Sequence, residues 1–316
     1  MSDRTGIQWT DATWNPVSGC SKVSTGCKNC YAERDWARLS KNPKSPYFGR
    51  GFTDVKLHPE RLDQPLRWRA PRRIFVNSMS DLFHEDVPDE FIDQVFAVMA
   101  MASARGHTFQ VLTKRPERMR DYFLGAETGN NYKAFDINTR AMAIGACLGD
   151  YLFLHGPREF GEKLVNLSHG YPADADNWGA GQDDQMLLPL QNVWLGVSVE
   201  NQVTADERIA TLINTPAAIH FLSVEPLLEP IDLGPIHVKG EPQIQWVIVG
   251  GESGPDARPC HTDWIRKIIK QCKRSRVPVF VKQLGSDLSR LYSMKDLHGG
   301  NPAEWSEDLR IREFPR

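Results

Sequence analysis

The run Arg73-Ile74-Phe75-Val76-Asn77-Ser78-Met79 decides the predicted fold, because it is apolar over its first half and polar where it stops. Five more runs of the same kind follow along the chain, at residues 109–114, 193–199, 218–224, 246–251 and 277–282. Near-continuous apolar runs of this length are typical of strands in a parallel sheet that is buried on both faces. With an earlier strand predicted at residues 7–10, the chain is expected to contain about seven strands.

Amphipathic helical patterns lie between these runs. Pro88 suits a first helical position, acidic residues follow it, and Gly106 fits the end of that helix. Similar patterns begin at Pro116, at residue 204 and after Thr262. Strands that alternate with helices predict an α/β fold, and we predict a parallel (βα) barrel, full or partial. An open doubly wound sheet is the alternative, because both folds have the same periodicity.

The predicted barrel domain covers residues 1–284. A helical insertion at residues 125–190 separates two strands by far more than one crossover helix needs, which is typical of a lid or a partner surface. Residues 285–316 have little periodicity and are predicted to form a polar C-terminal tail.

The bulk composition excludes several classes of protein. The 316 residues are 41% hydrophobic and 25% charged, and the net charge of −2 gives no general attraction to nucleic acids or anionic membranes. No apolar run approaches the length of a membrane span, and the first residues lack a signal-peptide pattern. Six cysteines are too few for a disulfide framework in a chain of this length. We therefore predict a cytoplasmic protein without membrane association.

Three cysteines, Cys20, Cys27 and Cys30, lie close together with the spacing Cys-x6-Cys-x2-Cys. A cubane iron–sulfur cluster can be held by three thiolates, which leaves one iron open for a ligand. A structural zinc ion normally takes four ligands, so zinc is the alternative only with a fourth one. The candidates for that ligand are His58, His84 and Cys147. The triplet predicts a metal centre, and a cluster is favoured over zinc.

Polar residues follow the predicted strands. In α/β barrels and open α/β sheets, functional sites form at the carboxyl ends of the strands. One polar strand end is ordinary, since strand ends are solvated, but six together predict a lined pocket. The residues concerned are Asn77, Ser78, Asp81, Lys114, Arg115, Ser198, Glu200, Glu225, Gly250, Gly251, Glu252 and Lys282.

With these features the chain resembles the radical SAM superfamily, and more closely a phage and prophage family of three-cysteine-motif proteins of unknown function. The resemblance rests on segments that occur in one order, at residues 7–16, 75–83, 112–116, 194–201, 223–226 and 250–254. It implies a radical-SAM-like barrel in which Cys20, Cys27 and Cys30 bind a 4Fe-4S cluster. The open iron would bind S-adenosyl-L-methionine, whose reductive cleavage starts radical chemistry on an unknown substrate. Most members of the superfamily have a shorter first spacing, Cys-x3-Cys-x2-Cys.

Roles for the other residues follow from this resemblance by analogy of position. Asn77, Ser78 and Asp81 would bind the methionine amino group. Glu225 and the turn Gly250-Gly251-Glu252 would hold the ribose or adenine, and Ser198 is a further predicted cofactor-binding residue. Lys114, Arg115, Glu200 and Lys282 remain for the methionine carboxylate or the substrate, and Lys114, Glu200 and Lys282 are the candidate catalytic residues.

The phage context implied by the resemblance suggests a nucleic acid, a nucleotide or a partner protein as substrate, in the host cytoplasm, with an external electron donor. The alternative is a phage accessory protein without catalysis, in which zinc or a cluster stabilises the fold and the protein binds a partner. The acids and bases at the strand ends count against this alternative, because a stabilising metal needs no lined pocket.

Overall fold

A computed structural model describes residues 5–125, 140–148, 188–238 and 240–315. Its strands are β1 (Ala12–Trp14), β2 (Val17–Ser18), β3 (Lys56–Leu57), β4 (Arg73–Val76), β5 (Thr108–Thr113), β6 (Val193–Ser198), β7 (Ile219–Val224), β8 (His237–Val238), β9 (Glu241–Pro242), β10 (Trp246–Gly250) and β11 (Val279–Gln283). Seven of them form one parallel sheet in the order β1-β4-β5-β6-β7-β10-β11, which curls into a half-barrel. The pairs β2–β3 and β8–β9 are short and antiparallel.

The helices that connect these strands are α1 (Tyr31–Leu39), α2 (Asp89–Ala102), α3 (Pro116–Leu124), α4 (Gln202–Ile213), α5 (Thr262–Arg274) and α6 (Ser286–Leu291). Residues 140–148 are also helical. Short 3-10 helices occur at Thr25–Cys27, Pro59–Arg61, Gln64–Arg67, Ser103–Arg105, Pro302–Glu304 and Glu307–Leu309. Helix α4 begins with a capping box between Asn201 and Thr204, which satisfies backbone N–H groups of its first turn. None of the described helices is both long and apolar enough to cross a membrane.

The predicted α/β class, the parallel sheet and a partial barrel agree with this architecture. Six strands lie where the apolar runs predicted them, but the first strand is Ala12–Trp14 and not residues 7–10. Residues 7–10 turn instead, with Thr10 N donating to Ile7 O, and Trp9 packs inside the half-barrel. Of the predicted insertion at 125–190, residues 126–139 and 149–187 lie outside the described part of the chain.

Side chains on the two faces of the sheet have different partners. Alternate residues point outward and pack beneath the helices, as Ile74 and Val76 do. The residues between them point inward, where Trp9, Phe75, Phe221, Trp246 and Phe280 form an aromatic cluster. Gly196 faces this cluster, and a Cβ atom there would lie 2.6 Å from the Phe221 ring. The amino-end half of the interior is therefore filled, and the inward positions near the carboxyl ends are left for polar residues.

The C-terminal segment, residues 285–315, packs along strand β11. Val281 N donates to Ile311 O, and Glu313 N donates to Val279 O. Trp305 and Leu309 are buried in the main core, and the Phe314 ring packs against Trp246. The region predicted as a polar tail thus covers the open side of the half-barrel, held by apolar residues that are too widely spaced to give a periodic pattern.

Candidate functional site

A cavity of about 750 Å³ opens at the carboxyl ends of the parallel strands. Its wall combines the cysteine loop (residues 20–30), the strand ends and part of the C-terminal segment. Most of the residues predicted from sequence line it: Cys20, Cys27, Cys30, Asn77, Ser78, Asp81, Lys114, Ser198, Glu225, Gly251, Glu252 and Lys282. Glu200 and Gly250 do not line it. The parallel topology brings these residues together, because every strand ends at the same edge of the sheet.

The three cysteines of the loop are half-buried free thiols. Burial and the nearby Asp81 carboxylate raise the pKa of Cys20 to about 11, although Arg115 acts in the opposite direction. Among the described residues, no three His, Cys, Asp or Glu side chains are grouped closely enough to hold a single metal ion. The thiolates of a cubane bind different irons, so they lie farther apart than ligands that share one ion.

The histidines considered as zinc ligands are engaged elsewhere. His58 contacts Ser18 Oγ through Nε2 at 2.7 Å and Glu60 Oε1 through Nδ1 at 2.9 Å. His84 Nε2 lies 2.8 Å from Ser21 Oγ, and its Nδ1 accepts a hydrogen bond from Asp86 N. Burial lowers the pKa of both imidazoles. Both ring nitrogens of each histidine are therefore used in hydrogen bonds that hold loops.

Arg115 holds the start of the cysteine loop against the end of β5. Its guanidinium donates to the backbone oxygen and to Oγ of Ser21, at 3.3 and 2.7 Å, and its Nη1 lies 3.7 Å from Cys20 Sγ. The same guanidinium pairs with Asp81 and Glu85. Asp81 also accepts hydrogen bonds from Thr113 Oγ1 at 2.7 and 2.9 Å. Asp81 therefore lines the cavity but joins the ends of β4 and β5.

Glu200 holds the middle of the loop from the end of β6. Its carboxylate is fully buried, accepts a hydrogen bond from Gly26 N at 3.2 Å and pairs with Arg208 at 3.1 Å. A Cβ atom on Gly26 would lie 2.8 Å from the carboxyl carbon of Glu200, so glycine permits this close contact. The structure therefore gives Glu200 a position behind the loop and not in the cavity where the sequence predicted it.

Glu252 holds the end of the loop from β10. Its carboxylate accepts hydrogen bonds from Asn29 Nδ2 at 2.9 Å and from the guanidinium of Arg258 at 2.6 and 2.9 Å. Burial disfavours the ionised form of Glu252, but these donors outweigh it and lower the pKa of the carboxyl. Arg258 also donates to Thr25 O at 2.9 Å. Nothing in the sequence pattern indicated Arg258.

The glycine-rich turn after β10 has a packing role. A Cβ atom on Gly251 would lie 2.2 Å from Leu284 O, and one on Gly250 would lie 3.0 Å from Glu225 Oε1. Both glycines therefore allow the backbone after β10 to approach its neighbours. Gly251 also lines the cavity, whereas Gly250 lies beneath it.

Lys282 and Glu225 form an ion pair on the cavity wall. Lys282 Nζ lies 3.0 Å from Glu225 Oε1, and Ser223 Oγ lies 3.3 Å from Glu225 Oε2. The pair places an ammonium group and a carboxylate side by side at the ends of β11 and β7. Ser198 and Ser223 occupy inward positions on β6 and β7 between this pair and the cysteine side of the cavity.

Two buried polar atoms of cavity-lining residues have no hydrogen-bond partner within the described structure: Trp9 Nε1 and Asn77 Nδ2. Such atoms are costly to leave unsatisfied, because they lose their hydrogen bonds with water. Both atoms belong to residues that border the cavity, and both atoms are themselves buried.

One family model matches residues 4–302, and its description is "Protein of unknown function (DUF5131)". Neither a curated protein nor a solved structure gives a match.

Proposed function

The chain belongs to the DUF5131 family, whose function is unknown, and we propose from the site itself that it is a radical-SAM-like iron–sulfur enzyme. One observation carries this proposal: three half-buried thiols from a single loop line a cavity at the carboxyl ends of parallel strands. Enzyme sites of α/β barrels form at this edge of the sheet.

The donor set is compatible with a 4Fe-4S cluster bound by Cys20, Cys27 and Cys30. The thiols are free, they face one cavity, and Arg115 supplies an N–H group toward the Cys20 sulfur. Hydrogen bonds to the sulfurs are among the protein groups that tune such clusters.

The cavity supports a second component beside the cluster. Its volume of about 750 Å³ lies within the range of sites for small molecules and cofactors. Together with S-adenosyl-L-methionine, a cluster held by the three cysteines would supply one-electron cleavage of the sulfonium bond, with the electron from an external donor, and so start radical chemistry on a substrate. The protein would orient the two components and exclude water.

Individual residues then have separate tasks. Ser198, Glu225 and Gly251 line the part of the cavity proposed for the ribose and adenine. Lys114 and Lys282 are the candidate acid–base groups for a substrate, whose proposed classes are a nucleic acid, a nucleotide or a protein. Glu200, Glu252 and Arg115 position the cysteine loop, and we assign them no direct contact with a substrate.

Anaerobic reconstitution with iron and sulfide tests this proposal. We expect about four irons per chain and an EPR signal of the reduced protein that changes when S-adenosyl-L-methionine is added. Cys27→Ser should lose the iron, whereas Cys147→Ser, a change to another half-buried cysteine, should keep it. Stoichiometric zinc without iron would refute the cluster. An EPR signal that ignores S-adenosyl-L-methionine, without its cleavage, would refute the radical chemistry alone.

A further inference from the structure

Asn77 carries a buried amide N–H group without a partner, and the residue forms part of the cavity wall. The residue follows β4, is 2% exposed and has a φ of 60°, a left-handed conformation that asparagine tolerates better than most residues. Its Oδ1 accepts a hydrogen bond from Val17 N at 3.3 Å, and this contact fixes which end of the amide is oxygen. Nδ2, the other end, has no partner in the described structure.

Lys114 lies on the neighbouring strand end and lines the same cavity. Because Val76 pairs with Val111, Asn77 is beside Leu112, and Lys114 follows two residues later on the same face of the sheet. Neighbouring strands are about 4.8 Å apart and two residues advance about 6.6 Å along a strand, so a lysine side chain can reach the space in front of Asn77.

The ammonium group of Lys114 has no ion-pair or hydrogen-bond partner among the described residues. Asp81 is the carboxylate at the same strand ends, but its oxygens already accept hydrogen bonds from Thr113 Oγ1, Lys114 N and Arg115 Nη1. The ammonium group of Lys114 therefore has no fixed counter-charge. It belongs to the strand end beside Asn77, whose buried N–H group has no partner.

We infer that Asn77 and Lys114 form an oxyanion subsite, which binds one carboxylate or phosphate oxygen of a ligand in the cavity. Both groups donate hydrogen bonds, and a negatively charged oxygen accepts from both. An ammonium group at this subsite would face other N–H donors and find no acceptor. Asn77 therefore does not suit the methionine amino group, which is the role that the resemblance assigned to it. Two ligands carry a suitable oxygen: the methionine carboxylate of S-adenosyl-L-methionine, which rests on the proposed function, and an anionic substrate.

Asn77→Asp and Lys114→Met test the subsite. Aspartate has nearly the same shape as asparagine, tolerates the left-handed conformation and keeps an oxygen for Val17 N, but it replaces the N–H donor with a negative charge. Methionine keeps most of the length of lysine and removes its charge. Lys270→Met, on the exposed face of α5, is the matched control for the loss of one lysine. Thermal unfolding of each variant is compared with the wild type, so that a folding defect is recognised.

Two binding measurements separate the possible ligands. In the reconstituted protein, titration calorimetry compares S-adenosyl-L-methionine with its decarboxylated analogue. If the methionine carboxylate occupies the subsite, the wild type and the control bind the analogue at least about tenfold more weakly than S-adenosyl-L-methionine. Both subsite variants then bind the two compounds with similar affinity. In the metal-free protein, inorganic phosphate serves as the probe. If the anion belongs to a substrate, phosphate stabilises the wild type and the control against heat, but neither subsite variant.

The subsite is refuted if the wild type shows neither preference for the carboxylate nor stabilisation by phosphate. It is also refuted if Asn77→Asp and Lys114→Met behave like Lys270→Met in both measurements. If the proposed function is wrong, the chain binds no iron. The phosphate measurement uses the metal-free protein, so it still shows whether the subsite exists.

Discussion

The carboxylate of Glu200 accepts a hydrogen bond from the backbone N–H of Gly26, at a distance of 3.2 Å. Before Gly26 in the chain, Arg115 donates to Ser21 O and Arg258 donates to Thr25 O. All three contacted residues lie between Cys20 and Cys27. The six residues between these cysteines therefore supply the groups through which residues that follow β5, β6 and β10 hold the loop. This contact set gives the residues between Cys20 and Cys27 a structural role.

The close approach of Gly26 to Glu200 predicts the effect of a single methyl group. Gly26→Ala would place Cβ 2.8 Å from the Glu200 carboxyl carbon, so the loop or the carboxylate must move. We expect the free energy of unfolding to fall by about 1–3 kcal/mol, as in other overpacked sites, and the iron content after reconstitution to fall with it. Urea denaturation and iron analysis measure the two effects.

Gly51→Ala is the control for this substitution, because a Cβ atom there meets nothing within 4 Å and its backbone is not left-handed. It should resemble the wild type in both measurements. Equal stability and iron content in the two alanine variants would contradict the proposed packing of the loop against Glu200.

Removal of the Glu200 carboxylate should leave a buried charge without its partner. Arg208 is 7% exposed and pairs with Glu200 at 3.1 Å. Breaking a buried pair in this way costs about 3–5 kcal/mol, so Glu200→Ala should lower the free energy of unfolding by that amount. Glu200→Gln keeps an oxygen for Gly26 N and should cost less. Urea denaturation gives the energies, and hydrogen exchange at the Gly26 amide reports the loop contact.

A catalytic role for Glu200 would give another pattern. Glu200→Gln would then abolish activity while the Gly26 amide exchanges as slowly as in the wild type. We expect the reverse order of effects: Glu200→Ala accelerates exchange at Gly26, and Glu200→Gln does so to a smaller extent.

The sequence predicted the sheet well because its strands are buried on both faces. Runs such as Trp246–Gly250 are apolar at nearly every position, and the parallel topology then places the following residues at one edge. Asn77, Ser198 and Lys282 were predicted to share a pocket for this reason, and they line one cavity.

The sequence could not predict contacts between residues that are far apart in the chain. Glu200 and Gly26 are 174 positions apart, so a carboxylate at a strand end could not be assigned to the loop that it holds. The first strand was misplaced because Ile7 and Trp9 alternate with polar residues as in a strand. In the structure, both side chains pack inside the half-barrel. The packing of the C-terminal segment was missed because Trp305 and Phe314 are isolated apolar residues, and isolated residues give no periodic pattern.

Truncation of Trp305 tests whether the C-terminal segment belongs to the folded unit. Its ring is 3% exposed, and its Nε1 donates to Gly299 O at 3.0 Å. Trp305→Ala should lower the free energy of unfolding by about 3–5 kcal/mol, the usual cost of removing a buried aromatic side chain. Leu297→Ala, at a position 73% exposed in the same segment, should change it by less than about 0.5 kcal/mol. Similar urea midpoints for these two variants would show that the segment packs only loosely.

Acid should destabilise the protein partly through His107, a buried residue away from the cavity. Its Nδ1 accepts a hydrogen bond from Arg72 N at 3.2 Å, and its Nε2 lies 3.1 Å from Pro65 O. The ring is therefore neutral, with its hydrogen on Nε2, and burial lowers the pKa of this imidazole below the usual 6.5.

A lowered native pKa means that the unfolded chain binds the proton first. The stabilising contribution of His107 is therefore complete above about pH 6.5, the pKa of the unfolded state, and is lost as the pH falls through the native pKa. One such group changes the free energy of unfolding by at most about 1.4 kcal/mol per pH unit.

His107→Gln keeps an acceptor for Arg72 N and a donor for Pro65 O but has no titrating group. Urea denaturation between pH 5 and pH 8 (a range set by the usual histidine pKa of about 6.5) should show a shallower dependence in this variant than in the wild type. An unchanged slope would mean that His107 titrates alike in the native and unfolded states, against the buried neutral ring.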